Sequence, residues 1–114
     1  MNGPKLLDAQ TISRVVPGLS PGAYILSKDG KIAHYVGRSD NDLVARLISH
    51  ISDSQNYTHF WYEVTSSTKS AFDLECSWWH KYQPDDNKNH PDRPNGSGWQ
   101  CPICNVFKMD RGWY

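Results

Sequence analysis

A chain of 114 residues has room for one domain with a modest core. Its 12 Lys plus Arg balance 12 Asp plus Glu, so bulk charge does not drive tight binding to nucleic acid; a local basic face from Lys31, Arg38, Arg46, Lys69 and Lys81 is the route left open. No apolar run is long enough to span a membrane, the N-terminus lacks a signal-peptide pattern, and 3 cysteines with one Cys-x-x-Cys pair suit a reduced, cytoplasmic protein with a metal knuckle better than a disulfide framework.

Leu6, Leu7, Ile12, Val15 and Val16 predict a short helix over about 7–16, ended by Pro17-Gly18. Two strands follow, 22–28 and 31–37, around Lys28-Asp29-Gly30-Lys31. Asp-Gly suits the centre of a two-residue hairpin turn, where both positions need φ > 0. That turn sets Tyr24 opposite Tyr35 and Gly22 opposite Gly37, with both phenols on one face. His34 points to the other face. Ser39, with Asp42 three residues on, is a helix start, and Leu43, Leu47, Ile48 and Ile51 form the apolar stripe of a helix running to about Ser54. Arg46 and His50, four apart, stand one above the other beside that stripe.

The aromatic and β-branched run 57–65 predicts a third strand, with Phe60, Tyr62 and Val64 on one face and His59, Trp61 and Glu63 on the other. Ser66-Ser67-Thr68 opens a helix to about 82, with Ala71, Leu74, Trp78 and Tyr82 on its main apolar face and Glu75 at the edge. Cys76 and His80 share roughly the opposite side. A turn-rich stretch from Gln83 to Gln100 leads to Cys101-Pro102-Ile103-Cys104, a short apolar piece at Val106-Phe107, and a tail ending Gly112-Trp113-Tyr114. Cys101-x-x-Cys104 is half of a tetrahedral zinc site. Cys76 and His80 complete a Cys₃His set, with His90 as the alternative to His80; a redox pair or free thiols is the competing reading.

Gly22-Ala23-Tyr24 and Tyr35-Val36-Gly37, followed by Arg46, His50, Glu75 and Asn87, resemble the motif set of the GIY-YIG nuclease family over about residues 20–90, with the two central isoleucines replaced by Ala23 and Val36. The resemblance implies an α+β domain with a small, mainly antiparallel three-stranded sheet flanked by helices. Its core would span about 20–90, with a zinc-knuckle segment over about 91–114. It implies Tyr24 as general base supported by Tyr35, Arg46 and His50 as stabilisers of phosphate and transition state, and Glu75 as the ligand of one catalytic Mg²⁺. Asn87, three residues after Pro84, matches the family's Pro-x-x-Asn ending, with Asn89 as the alternative.

A free phenol titrates near pH 10, so a tyrosine base needs cations or hydrogen bonds to lower its pKa, and Arg46 is the expected source. Lys31 and Arg38 are expected to contact substrate. The expected function is metal-dependent hydrolysis of DNA. The alternative is a zinc-stabilised nucleic-acid-binding or adaptor module of the same fold without catalysis.

Overall fold

A computed structural model describes residues 1–53 and 55–104. Four strands and three helices follow in the order β1 (Asn2–Leu6), α1 (Ala9–Val15), β2 (Gly22–Ser27), β3 (Tyr35–Ser39), α2 (Leu43–Ser49), β4 (His59–Val64) and α3 (Thr68–Tyr82). The strands form one antiparallel sheet in the order β1-β4-β2-β3. Three strands and the α+β class match expectation; β1 adds a fourth strand at the edge, in a segment expected to begin only with a helix. Every residue of β1 is exposed, and Gly3-Pro4 interrupts it, so it carries no alternating signature. α2 stops at Ser49 with His50 as its C-cap, short of the expected end near Ser54; the apolar piece 106–107 and the tail 112–114 lie outside the described residues.

Strand alternation splits the core in two. Tyr24, Leu26, Phe60 and Tyr62 face α1 and α2, packing with Ile12, Val16, Leu43 and Leu47. Ala23, Ile25 and Val36 face α3, packing with Trp78 and the half-buried Trp61, Leu74, Trp79 and Tyr82. Each helix is capped by a side chain that satisfies an amide otherwise left open in the first turn: Asp8 to Thr11 N–H, Asp42 to Ala45 N–H, and Ser67 to Ser70 N–H. Ser39, expected as the cap of α2, instead ends β3, and its hydroxyl accepts the Asp42 N–H at 2.9 Å.

The β2–β3 register differs from the two-residue turn. Tyr24 pairs with Gly37, Leu26 with Tyr35, and Gly22 with Ser39. The cause is local side-chain chemistry. Asp29 Oδ1 accepts the N–H groups of Lys31 and Ile32 at 2.8 and 3.0 Å, and Ser27 Oγ accepts those of Asp29 and Gly30 at 3.2 and 2.9 Å. These bonds satisfy the backbone inside the connection, so the strands part at residue 28 and rejoin at 35. Gly30 takes a positive φ of 79°, as a turn glycine can at low cost. The two tyrosines still meet: Tyr35 is the diagonal neighbour of Tyr24 on the same face, with rings stacked at 6.3 Å.

Candidate functional site

β3 is an edge strand of the sheet, so a side chain from either face can reach around it to a common space. Tyr35, Gly37 and Ser39 point toward α2, while Val36 and Arg38 point toward α3. Beside this edge lies a cavity of about 640 Å³ lined by Tyr35, Gly37, Arg38, Ser39, Asp40, Asn41, Arg46, Glu75 and Asp92. Arg46 comes from the last turn of α2 and Glu75 from the middle of α3, so two helices on opposite faces contribute to one polar wall.

Tyr24 lies immediately behind that wall and is fully enclosed. Gly37 separates it from the cavity. A Cβ on Gly37 would come within 2.5 Å of both Cζ and Oη of Tyr24, so only a hydrogen at this position lets the phenol cross the strand. Oη of Tyr24 lies 2.8 Å from Nε2 of His50. His50 Nδ1 in turn lies 3.4 Å from Asp53 Oδ2. Because Asp53 is held below the usual carboxylate range by the Gln55 N–H and by His50, it is an acceptor, so His50 carries its proton on Nδ1 and Tyr24 donates to the bare Nε2.

The expected lowering of the phenol pKa does not occur. Burial pushes Tyr24 up, the neighbouring Tyr35 adds to it, and the charge and hydrogen bonding of Arg46 offset only part. Burial also raises Tyr35, again against Arg46. Burial lowers His50, which keeps its imidazole neutral at pH 7. Glu75 is pushed up to about 7 by burial, opposed by Arg38.

Arg38 Nη1 donates to Glu75 Oε1 at 2.7 Å and to the Asp92 carbonyl at 2.6 Å, while its Nε donates to Asp40 at 2.7 Å. Arg38, expected to meet substrate, is therefore the counter-ion of Glu75 in this state. Lys31 is not on the cleft: it belongs to the connection before β3 and borders a separate small cavity with Met1, Ile25, Ala33, Trp61 and Tyr82. Asn87 does not line the cavity either. Its side-chain amide grips the open edge of β3, with Nδ2 donating to Val36 O at 2.7 Å and Oδ1 accepting Val36 N–H at 3.3 Å. Trp79 Nε1 holds the Asn87 carbonyl at 2.7 Å, and Asp86 N–H donates to His34 O at 2.8 Å. The 86–87 segment thus replaces a missing neighbour strand.

A hard divalent cation fits Glu75. It is a buried carboxylate on an oxygen-rich wall, and a cation there would meet the charge that Arg38 now meets. Asp53, Asp40 and the Asp92 carbonyl were not among the expected site residues. Asp53 lies three residues after His50 and Asp40 two after Arg38, so both had a local signal; the Asp92 carbonyl depends on tertiary path.

A second cluster lies across α3. One ligand atom each from His80, His90, Cys101 and Cys104 falls within 4.8 Å of the others. Cys76, expected in this set, is outside it. Cys76 sits one turn earlier on α3, buried in an apolar cluster with Phe72, Cys101 and the half-buried Trp99. His80 and His90 are both present, rather than being alternatives.

No protein-family model and no curated protein matches the chain. Solved structures do. The GIY-YIG N-terminal endonuclease domain of UvrC from Thermotoga maritima, bound to its catalytic magnesium, shares 24% identity over 67% of this chain and 94% of that one, with a TM-score of 0.55. Two point mutants of the same Thermotoga maritima domain, bound to its catalytic divalent cation, match at 23% identity and the same TM-score, covering 67% of this chain and 93% and 94% of theirs. The chain therefore has the fold of the GIY-YIG endonuclease domain, with a His and Cys cluster beside the C-terminal end of α3.

Proposed function

We propose that this domain is a metal-dependent endonuclease that hydrolyses DNA phosphodiester bonds in the cleft beside β3. One observation carries the reading: Tyr35, Arg46 and Glu75, drawn from three elements, line one polar cavity with the hydroxyl of Tyr24 directly behind Gly37. The fold shared with a nuclease domain adds support.

In this reading Arg46 binds a non-bridging phosphate oxygen through its planar fork and neutralises charge as it builds in the transition state. Tyr24 is the general base. Burial holds its pKa above the ordinary phenol value, so it enters the step as a neutral phenol and gives up its own proton as it takes one from water. As the oxygen of water bonds to phosphorus, its proton passes to Tyr24 Oη and the proton of Tyr24 passes to His50 Nε2. The bond from phosphorus to the leaving oxygen breaks, and the leaving oxygen takes up a proton from solvent. His50 becomes an imidazolium facing Asp53, which stabilises it as a carboxylate does in a catalytic triad. His50 therefore takes a proton-accepting role instead of the phosphate contact expected from the sequence. Tyr35 orients the water and packs against Tyr24. Glu75 holds the Mg²⁺ ion, which when bound supplies Lewis-acid stabilisation of the leaving oxygen.

Incubating supercoiled plasmid with the protein and Mg²⁺ tests the reading. Nicking or linearisation that needs Mg²⁺ and disappears in Glu75→Ala is the expected result. Binding to DNA without any cleavage, across duplex, flap and branched substrates, would favour the non-catalytic module.

A further inference from the structure

The cluster beyond the cleft has no part in the chemistry above, yet its geometry is specific. His80 Nε2 lies 3.3 Å from His90 Nε2 and 3.4 Å from Cys101 Sγ, and Cys104 Sγ lies 3.4 Å from His90 Nε2. Zinc bonds of about 2.0–2.1 Å to nitrogen and about 2.3 Å to sulfur make the edges of a tetrahedron about 3.3 Å between two nitrogens and about 3.6 Å between nitrogen and sulfur. The three separations agree with those edges to about 0.2 Å.

Hydrogen bonding alone accounts for the cluster poorly. His90 Nδ1 donates to the Pro91 carbonyl at 2.9 Å, since a carbonyl can only accept. The neutral ring then has one lone pair, on Nε2, and both His80 Nε2 and Cys104 Sγ approach it. A single lone pair cannot serve two donors well, and a non-donating His80 would set two lone pairs face to face. A cation among the four atoms removes the conflict. The carbonyl partner also fixes the tautomer and aim of the ring, as is usual for a metal-bound histidine. The Ile103 N–H points to Cys101 Sγ at 3.4 Å, a contact that favours thiolate over thiol.

We propose that His80, His90, Cys101 and Cys104 bind one zinc ion in a tetrahedral His₂Cys₂ site that clasps residues 83–104 onto the last turn of α3. Binding releases the two thiol protons to solvent. Cys76 is a packing residue beside the site. The donor set of two imidazoles and two thiolates suits zinc over Mg²⁺, and four protein ligands leave no open position for catalysis. The zinc therefore has a structural role. It joins three segments: the end of α3, the loop at His90 and the Cys101–Cys104 turn.

The test is to express the chain with added zinc, purify it without chelator and measure zinc by mass spectrometry. About one zinc per chain is expected. Cys104→Ser should lower zinc affinity at least about tenfold, and Cys76→Ser should retain the metal. Replacing zinc with Co²⁺ in the unmodified chain should give tetrahedral d–d bands with charge transfer from two thiolates. That spectrum decides the ligand set even if Cys76→Ser fails to fold. A folded chain that holds no zinc after expression with added zinc, a Co²⁺ spectrum with three thiolates, or zinc lost from folded Cys76→Ser but kept in Cys104→Ser would each overturn the proposal.

Discussion

The hydroxyl of Tyr24 and Nε2 of His50, 26 residues apart in the chain, lie 2.8 Å from one another behind the wall of the cleft. This pairing gives a buried phenol somewhere to send its proton. His50→Ala should lower kcat by at least about tenfold, and Tyr24→Phe by about 100-fold or more, with KM for DNA little changed. The relay needs neutral His50, whose pKa burial holds below 6.5, so the rate should fall on the acid side of that value as His50 protonates. The pH profiles of both variants at saturating Mg²⁺ check this. An unaltered acid limb in His50→Ala would remove His50 from the relay.

Gly37 is the window between Tyr24 and the cavity. A methyl group there meets the Tyr24 ring at 2.5 Å, and the ring is enclosed and cannot swing away. Gly37→Ala should cost about 1–3 kcal/mol of stability and lower cleavage by displacing the phenol. Urea unfolding, read beside the cleavage rate, measures both effects.

Glu75 links metal, proton and stability. Its carboxyl titrates at about 7 in the folded chain against an ordinary 4.5. A carboxyl raised on folding favours the native state while protonated, so without metal its contribution is full below pH 4.5 and lost as pH rises through 7. Glu75→Gln removes that dependence, so the stability difference between the variant and the chelated parent should shift in the variant's favour between pH 4.5 and 7. Mg²⁺ competes with the same proton. The Mg²⁺ concentration giving half-maximal activity should rise by up to about tenfold for each pH unit below 7. Thermal unfolding with and without Mg²⁺, and Mg²⁺ titrations at several pH values, read the two effects.

Asn87 acts through Val36 without facing the cavity. Asn87→Ala leaves the edge of β3 without both bonds and should cost about 1–3 kcal/mol. Because Tyr35 and Gly37 flank Val36, cleavage should fall as well. Hydrogen exchange at the Val36 amide gives the direct readout: faster exchange in Asn87→Ala is expected, and unchanged exchange would contradict the bracing role.

The extent to which the sequence disclosed this molecule varied from element to element. α3 was legible to the residue, because Ser67 caps it and its apolar spacing is regular. The faces of β4 followed from alternation. The hairpin register did not, because the carboxylate of Asp29 and the hydroxyl of Ser27 capture amides that an Asp-Gly turn would have left to the strands. Arg46 and Glu75 were legible as candidates from their helical positions, but that both reach one cavity depends on β3 being an edge strand. Helical spacing correctly set Cys76 and His80 on one side. It could not show that the path through Pro84 and Asn87 brings His90 into the ligand group, leaving Cys76 outside it, packed against Cys101.

The tyrosine pair, Arg46 and Glu75 are proposed to act together on one phosphodiester bond. Single-turnover cleavage of duplex and branched DNA by the parent chain, Tyr24→Phe, Tyr35→Phe, Arg46→Ala and Glu75→Ala, at matched zinc content, measures it most directly. Mg²⁺-dependent cleavage is expected in the parent, with losses of about 100-fold or more in Tyr24→Phe, Arg46→Ala and Glu75→Ala and DNA still bound. Cleavage at the parental rate in folded Tyr24→Phe and Glu75→Ala would contradict the proposal.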